Sequence, residues 1–362
     1  MTGRRGPVAP LRLEACRRIL VVRLSSLGDV VRATGCVTAL RAACPSAELV
    51  VATGEPLAAV FRHDPAVDRL LLAAPPLPPG RFVRDALRQL APFRREGGFD
   101  LAVDLQGTGQ SAIWTYASRA RVKAGRGGWR PGWLFSVRPD LRVADVAEST
   151  RILQHLGVAT ERAVPRLSVS REAEESVSAR LQSAGLPERG YLAVCPFSRW
   201  PAKAWPADRY AAALERLGAR GIGPVVLTGS TEEAAQARAL VDRLPPGTGV
   251  TLAGTLSLDE LFVLLGRARG ALTGDSGPMH AAAALGVSVV ALFGPTWPER
   301  AGPEGDGHAV LQRMRLRRYH AYRRRTSVRA MEALGVEEVV DAVARIWERA
   351  REGPSAASGH DG

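Results

Sequence analysis

The sequence is poor in cysteine and histidine, and neither residue type forms a metal-binding pattern. The four cysteines, Cys16, Cys36, Cys44 and Cys195, include no CxxC pair, so we expect reduced thiols rather than disulfides or a metal cluster. None of the six histidines pairs with Cys or Asp at zinc-ligand spacing, which argues against a zinc site. We therefore expect neither a metal nor another resident cofactor.

Long apolar segments are missing as well. Runs such as residues 289–293 are far too short to cross a bilayer, and residues 1–18 are rich in arginine without the apolar core of a signal peptide. We therefore expect a cytoplasmic protein, at most peripheral on the inner membrane. Its 362 residues, 46% of them hydrophobic, are enough for two domains with cores of their own.

Acidic residues are outnumbered by basic ones, and the net charge is +13. Such a charge attracts anionic partners, whether a nucleic acid, a phosphorylated glycolipid or an acidic membrane face. The alternative is that the positive charge reflects only an arginine-rich composition and serves no partner. The basic tract at residues 313–329 has interleaved aromatics, yet a solvated connector is its simplest interpretation. We rank a glycolipid phosphate or the anionic inner membrane face above nucleic acid as partner, because no nucleic-acid fold is recognisable.

Short apolar segments without strict alternation recur between helical patterns. Strands buried on both faces of a parallel sheet have this pattern. We therefore predict an α/β fold with two consecutive doubly wound sheets. The predicted strands cover residues 19–24, 48–52, 69–73 and 101–105 in the first half, and 192–195, 224–228, 270–273 and 288–293 in the second.

The pattern also divides the chain. Pro165 and Pro187 interrupt it between residues 160 and 189, Gly190 follows, and the strand-helix alternation restarts from residue 191. We predict loops at residues 75–80 and 125–139. The predicted domains are 1–170 and 190–330, with a linker at 171–189, a final helix at 331–352 that packs back across both domains, and a disordered tail at 353–362.

The first candidate site is Asp29, in the segment RLSSLGDVV after the first predicted strand. In an open α/β sheet, ligands bind at the carboxyl edge of the strands, where this turn lies. A helix N-terminus favours the ionised carboxylate, which would be available as a proton acceptor. The alternative is that Asp29 only caps its helix. The segment has neither GxGxxG nor a P-loop lysine, which argues against nicotinamide and P-loop chemistry.

Two further candidates follow strands of the second half. Ser198 and Lys203 lie in one loop and suit a diphosphate, although a solvated loop whose tryptophans cover the core is an equal alternative. The turn at residues 275–280 begins an alanine-rich helix, and the free N–H groups of Ser276 and Gly277 make an anion site. The simpler interpretation is a plain turn with Asp275 as N-cap.

Five segments in this order resemble one family: RLSSLGDVV, FDLAVDLQG, AKAWPADRY, GDSGPMHAAAALGV and ALFGPT. They are similar to the ADP-heptose:lipopolysaccharide heptosyltransferases, glycosyltransferase family 9, over residues 18–302. The resemblance implies a GT-B architecture, two Rossmann-like domains facing a cleft. It also implies metal-independent, inverting transfer of a heptose from ADP-heptose to an inner-core sugar of lipopolysaccharide.

The resemblance also implies roles for individual residues. Asp29 would be the catalytic base, and Lys203 with Ser198 would contact the diphosphate. Around the last turn, Ser276 and Gly277 would add backbone donors, while Asp275 and His280 would hold the turn and the sugar. Glu232 would bind the ribose and Leu256 the adenine, although the first is also readable as an exposed carboxylate and the second as core.

Departures from the family pattern leave the acceptor open. Residues 32–35 read Arg-Ala-Thr-Gly where many members have Thr-Leu-Pro, and residues 317–325 are arginine-rich where many carry cysteines. In FDLAVDLQG, Asp104 and Gln106 would either reach the cleft or be satisfied by backbone at the strand end. Three alternatives therefore stand beside the main hypothesis. They are another nucleotide-sugar donor, an acceptor other than lipopolysaccharide, and a non-catalytic nucleotide-sugar-binding protein.

Overall fold

The computed structural model describes residues 12–73, 90, 93, 96–125, 135–137, 148–160, 163–315 and 329–352. The chain divides into two compact units, Met1–Ser168 and Val169–Gly362. Four sequence segments with predictions lie outside the described residues: the loop at 75–80, most of the loop at 125–139, residues 316–328 of the basic tract and the tail at 353–362.

The first unit is built on a parallel sheet of five strands in the order β3-β2-β1-β4-β5. The residues of its central strands are almost all fully buried, which explains why their sequences are continuously apolar rather than alternating. The strands are β1 (Arg18–Val22), β2 (Glu48–Gly54), β3 (Arg69–Ala73), β4 (Leu101–Asp104) and β5 (Val122–Gly125). The helices are α1 (Leu27–Ala43), α2 (Ala59–Arg62), α3 (Gly109–Ala117) and α4 (Glu148–His155).

Helix α1 lies very close to the chain segment that follows α4. A Cβ atom at Gly35 would lie 2.1 Å from the carbonyl oxygen of Ala163. Beside it, the Thr34 hydroxyl accepts a hydrogen bond from the backbone N–H of Arg166 at 3.0 Å. Two of the residues that depart from the family pattern, Thr34 and Gly35, therefore fix the packing of this helix.

The second unit is built on a parallel sheet of six strands in the order β11-β10-β9-β6-β7-β8. Its strands are β6 (Leu192–Cys195), β7 (Val225–Leu227), β8 (Gly249–Thr251), β9 (Gly270–Gly274), β10 (Val289–Phe293) and β11 (Ala309–Gln312). The helices are α5 (Arg171–Ser183), α6 (Ala207–Ala219), α7 (Ala234–Val241), α8 (Leu258–Arg267), α9 (Gly277–Ala284), α10 (Pro298–Ala301), α11 (Arg329–Glu332) and α12 (Val336–Glu352). A short 3-10 turn, Pro201–Lys203, follows β6.

The structure differs from the predicted linker at residues 171–189. Most of that segment is helix α5, whose Ser170 N-cap accepts a hydrogen bond from the N–H of Ala173 at 3.1 Å. Ala173, Val177 and Leu181 form an apolar stripe with helical spacing, and all three are buried in a cluster with residues of α8. The helix therefore belongs to the second unit. The other domain boundaries stay a prediction.

The final helix α12 packs on the second unit. Its buried residues, among them Val343 and Ile346, join the core formed by α6, β9 and β10. Near its C-terminal end, Arg269 stacks on the Trp347 ring at 4.4 Å and donates two hydrogen bonds to the Trp347 carbonyl. Its predicted crossing of both domains stays a prediction. None of the helices in the described part of the chain is long and apolar enough to cross a membrane.

Candidate functional site

Asp29 lies in the first turn of α1, just beyond the carboxyl end of β1. Ser26 is the N-cap, and its hydroxyl and N–H donate to Oδ2 of Asp29 at 3.0 and 3.4 Å. These bonds tie the carboxylate at the third helical position back to the N-cap, as in a capping box, and fix the start of the helix. Asp29 therefore caps its helix, as the simpler interpretation proposed, yet 45% of its side chain remains exposed. A carboxylate oxygen accepts more than one hydrogen bond, so the exposed part of this carboxylate keeps acceptor capacity toward solvent.

The guanidinium of Arg23 controls the charge of Asp29. Arg23 Nη2 lies 2.9 Å from Asp29 Oδ1, and Nη1 donates to the carbonyl of Leu105, which anchors the guanidinium to the neighbouring strand. Desolvation raises the pKa of Asp29, but the positive charge of Arg23 and the hydrogen bonds from Ser26 outweigh it. The pKa of Asp29 is therefore lowered from its ordinary value, and the carboxylate is ionised at neutral pH.

Asp104 and Gln106 both support the first unit's carboxyl edge, in different ways. Asp104 is fully buried, and its carboxylate accepts from the N–H groups of Gln106 and Gly107 and from the Ser111 hydroxyl. Of the two alternatives for Asp104, the structure therefore shows the second: its carboxylate is satisfied at the strand end, mainly by backbone N–H groups. The amide of Gln106 accepts from the N–H groups of Leu24 and Ser25 at 3.0 and 3.1 Å, so it holds the loop that leads to Asp29.

In the second unit, Lys203 and Asp275 form a buried ion pair. Lys203 Nζ lies 2.7 Å from Asp275 Oδ2, and their side chains are only 12% and 7% exposed. Lys203 ends the 3-10 turn after β6, and Asp275 follows β9, the neighbouring strand. Two loops that are 72 positions apart in the sequence therefore place an ammonium group and a carboxylate together at the carboxyl edge of the sheet.

The turn after β9 leads into helix α9. The N-cap of this helix is Ser276 rather than Asp275, so the interpretation of Asp275 as N-cap is wrong: its carboxylate is committed to Lys203 and to the hydroxyl of Thr296, at 2.6 Å. Gly277 is the first helical residue, and His280, one turn further, is buried. Backbone N–H groups at such a helix start, reinforced by the helix dipole, favour an anion.

The three remaining candidates have different surroundings. Ser198 is half-buried, and its hydroxyl accepts from the N–H of Trp200 at 3.4 Å. Glu232 is exposed, and a hydrogen bond from Ser230 lowers its pKa. Leu256 packs against the apolar cluster around α5 and α8, as the core interpretation proposed.

Two residues that the motifs did not single out hold the second unit's turns. Thr296, at the end of ALFGPT, contacts Asp275 as described. Gln312 ends β11 and donates to the carbonyls of Gly294 and Thr296 at 2.8 and 2.6 Å. Thr296 lies within a quoted motif, so its position was a usable signal. Gln312 lies beyond the last motif and bonds to backbone groups. A contact of this kind leaves no recognisable pattern in the sequence.

The model of one known family, glycosyltransferase family 9 (heptosyltransferase), matches residues 88–330. The chain belongs to glycosyltransferase family 9. One relative is the lipooligosaccharide heptosyltransferase 2 of Haemophilus influenzae, which is 27% identical over 311 residues that cover 81% of this chain and 88% of the relative. The predicted family and the predicted glycosyltransferase activity are thereby confirmed.

Solved structures of family 9 proteins share the fold. A glycosyltransferase from Veillonella parvula superposes with a TM-score of 0.80 at 22% identity, covering 92% of this chain and 98% of that one. The ADP-heptose lipopolysaccharide heptosyltransferase II of Escherichia coli has a TM-score of 0.75 at 21% identity, covering 92% and 99%. With the two parallel sheets described above, these similarities confirm the predicted GT-B fold class.

Metal-ligand groups of three or more His, Cys, Asp or Glu side chains do not occur among the described residues. The four cysteines are thiols that form no disulfide, and each is buried. Burial raises the pKa of Cys195 to about 11, which keeps that thiol protonated at neutral pH. The independence of a metal ion stays a prediction for this family 9 member, as do the roles of the individual site residues.

Proposed function

We propose that this family 9 glycosyltransferase transfers a heptose from ADP-heptose to an inner-core sugar of lipopolysaccharide, with inversion at the anomeric carbon. The observation that carries the proposal is the ionised, accessible carboxylate of Asp29, held at the start of a helix in a chain of this family. The names of the two heptosyltransferases described above support the choice of donor and acceptor.

Asp29 acts as the general base. Its carboxylate takes the proton of the acceptor hydroxyl as the hydroxyl oxygen attacks the anomeric carbon. The new glycosidic bond forms while the bond between the anomeric carbon and the β-phosphate oxygen of ADP breaks, and the electron pair leaves with ADP. One displacement inverts the configuration, so one carboxylate is sufficient. The base works at neutral pH because Arg23 keeps it ionised.

The second unit stabilises the departing ADP. Negative charge accumulates on the β-phosphate as the sugar leaves, and Lys203 provides a compensating charge with no metal ion. Ser198 donates a hydrogen bond to the diphosphate, while the N–H groups of Ser276 and Gly277 add dipoles at the start of α9. Asp275 and His280 hold this turn and the sugar, Glu232 binds the ribose and Leu256 contacts the adenine. Preorganised charges of this kind act mainly on the transition state.

The acceptor in this proposal is a phosphorylated glycolipid at the cytoplasmic face of the inner membrane. The net charge of +13 supports it, because a basic protein concentrates at an anionic membrane face and near phosphorylated lipids. Peripheral contact with that face is part of the same proposal. Nucleic acid is not expected as a partner.

Product analysis tests donor, acceptor and activity together. The full chain is incubated with ADP-heptose and a truncated lipid-core acceptor, with and without a chelator, and the products are analysed by mass spectrometry. We expect one added heptose, release of ADP and no effect of the chelator. Thermal protection by ADP-heptose but not by UDP- or GDP-sugars would support the donor independently.

Other outcomes identify the alternatives. Transfer from a different nucleotide sugar, or to a non-lipopolysaccharide acceptor only, would show that the same fold serves another substrate. Binding of ADP-heptose without transfer to any acceptor tested would contradict a catalytic role and favour a nucleotide-sugar-binding protein. Loss of transfer on adding the chelator, restored by a divalent cation, would contradict the metal-independent mechanism.

A further inference from the structure

A continuous series of contacts crosses four adjacent strands of the second unit at their carboxyl ends. It begins on β11, where the Gln312 side-chain amide donates to the carbonyls of Gly294 and Thr296 in the turn after β10. The Thr296 hydroxyl then donates to Asp275, in the turn after β9. Asp275 pairs with Lys203, in the loop after β6. Because the sheet order is β11-β10-β9-β6, every contact joins immediate neighbours.

The hydroxyl of Thr296 and the ammonium of Lys203 approach the same atom. Thr296 Oγ1 lies 2.6 Å and Lys203 Nζ 2.7 Å from Oδ2 of Asp275. All of these groups are buried or nearly so, with Thr296 fully buried. A carboxylate that accepts from a fixed hydroxyl has few rotamers left, and it then fixes the ammonium that pairs with it. In a buried setting such a hydrogen bond is strong.

The backbone around this series leaves little room for the loops to shift. A Cβ atom at Gly274 would lie 3.3 Å from the carbonyl oxygen of Lys203, so the 3-10 turn is pressed against the end of β9. A Cβ atom at Gly294 would lie 2.6 Å from the sulfur of Met331 in α11, so the turn after β10 is covered as well. The two hydrogen bonds from Gln312 also hold that turn.

From this geometry we infer that Thr296 and Gln312 are positioning residues for Lys203, acting through Asp275. The inference rests on the proposed function, in which Lys203 neutralises the diphosphate of the departing nucleotide. Thr296 orients the carboxylate, and Gln312 holds the backbone that presents Thr296. Neither residue needs to touch the nucleotide sugar. Their effect is to keep the ammonium where negative charge develops, without reorganisation during the reaction.

The test is a double-mutant cycle on kcat, with ADP-heptose as donor and the truncated lipid-core acceptor. Thr296→Val removes the hydroxyl at nearly constant shape. We expect kcat to fall roughly tenfold to a hundredfold, the size of a lost hydrogen bond to a charged group. The KM for ADP-heptose should change much less, because the charge that Lys203 meets develops mainly in the transition state. Thr296→Ser, which keeps the hydroxyl, should restore kcat to within a few-fold.

The second arm repeats Thr296→Val in a Lys203→Met background. If the hydroxyl acts through Lys203, the substitution should lower kcat by no more than about twofold there. ADP affinity by calorimetry provides the same cycle for variants whose turnover is too slow to measure. Gln312→Leu gives a second way to loosen the turn, should Thr296→Val fail to fold. Its loss in kcat should also vanish in the Lys203→Met background.

Tyr191→Phe is the matched control. Tyr191 is also fully buried in the second unit, and its hydroxyl donates to the carbonyl of Leu264 in α8 at 2.6 Å. It precedes β6 at the amino end of the strand, opposite the edge that carries the series. The substitution should lower the melting temperature similarly and leave kcat unchanged. Equal losses of kcat from Thr296→Val with and without Lys203 would overturn the inference alone. Wild-type turnover of Lys203→Met would overturn the proposed role of Lys203, and the inference with it.

Discussion

The turn after β1 and the turn after β9 use the same pair of residue types for different purposes. Each follows a buried parallel strand, leads into a helix and carries an aspartate paired with a basic side chain, at 2.9 Å for Asp29 with Arg23 and 2.7 Å for Asp275 with Lys203. The difference is burial. Asp29 is 45% exposed, whereas Asp275 is 7% exposed.

This difference assigns the two carboxylates opposite parts in the proposed mechanism. The exposed Asp29 keeps access to an acceptor hydroxyl, and its basic partner only tunes its charge. The buried Asp275 has no such access, and its charge serves to hold Lys203. The pair in the first turn is only partly buried, since Arg23 is 13% exposed and Asp29 is 45% exposed. Partial exposure of an ion pair reduces its contribution to stability, whereas removing one member of a buried pair leaves a costly unpaired charge. The two turns should therefore respond to the same substitution in different ways.

The largest expected effect is the loss of activity on Asp29→Asn. The amide cannot accept the acceptor proton, so kcat should fall by about 10²- to 10⁴-fold, the usual contribution of a general base. ADP affinity should stay within about twofold, since the proposed nucleotide site lies in the second unit. Calorimetry with ADP and initial rates with saturating ADP-heptose measure the two effects. Near wild-type turnover would show that Asp29 is not the base.

Asp275→Asn applies the same substitution to the buried turn. Here we expect a loss of about 3–5 kcal/mol in the free energy of unfolding, because the ammonium of Lys203 is left buried without its counter-ion. Asp29→Asn is the matched control, with a smaller expected loss of about 1–2 kcal/mol, because Arg23 is itself only 13% exposed but keeps its hydrogen bond to the Leu105 carbonyl. Urea unfolding of both variants measures the two losses in the free energy of unfolding. Similar losses in the two would show that burial does not distinguish the turns.

Helix α1, which carries Asp29, depends on a close backbone contact as well as on its cap. Gly35→Ala would place a Cβ atom 2.1 Å from the carbonyl oxygen of Ala163. We expect this overpacking to cost about 1–3 kcal/mol of stability. Gly218→Ala is the control, because a Cβ atom added to that helical glycine of α6 would meet nothing within 4 Å, and alanine should stabilise the helix by about 0.5–1 kcal/mol. A neutral Gly35→Ala would show that α1 shifts freely on its neighbours.

The central strands could be predicted from the sequence, whereas edge strands were mostly missed. Strands such as β6 and β10 are continuously apolar, because helices or loops cover both faces and neighbouring strands cover both edges. The strands that the patterns did not reveal, β5, β8 and β11, each lie at the edge of a sheet. Their sequences contain glycine or polar residues, since an edge strand needs less burial. Helix α5 did carry a signal, in the spacing of Ala173, Val177 and Leu181.

The candidate site was predictable where side chains of a motif carry the chemistry. Asp29, Lys203 and Asp275 came from ordered motifs, and two of these three form an ion pair in the folded chain. What holds them was not predictable in the same way. The amides of Gln106 and Gln312 bond to backbone groups, which every sequence supplies. Only the folded strand order brings such partners together.

The smallest expected effect concerns the pH dependence of activity on Arg23→Gln. Arg23 lowers the pKa of Asp29, so removing its charge should raise that pKa. The base would then be protonated at a higher pH, and the acidic limb of the kcat/KM profile should move upward, by up to about one pH unit for a partly exposed pair. At alkaline pH, where Asp29 is ionised in both proteins, kcat/KM should fall little.

The free energy of unfolding should depend on pH through the same carboxyl group. A carboxyl group whose pKa is lowered on folding stabilises the protein above its unfolded pKa, near 3.9, and loses that contribution as the pH falls through the folded value. Arg23→Gln should reduce this contribution of Asp29 to the free energy of unfolding. Arg41→Gln is the control, because Arg41 pairs with Asp68 in the same unit, away from Asp29, and should leave the activity profile in place. An unmoved acidic limb in Arg23→Gln would mean that the exposed turn, unlike the buried one, does not depend on its basic partner.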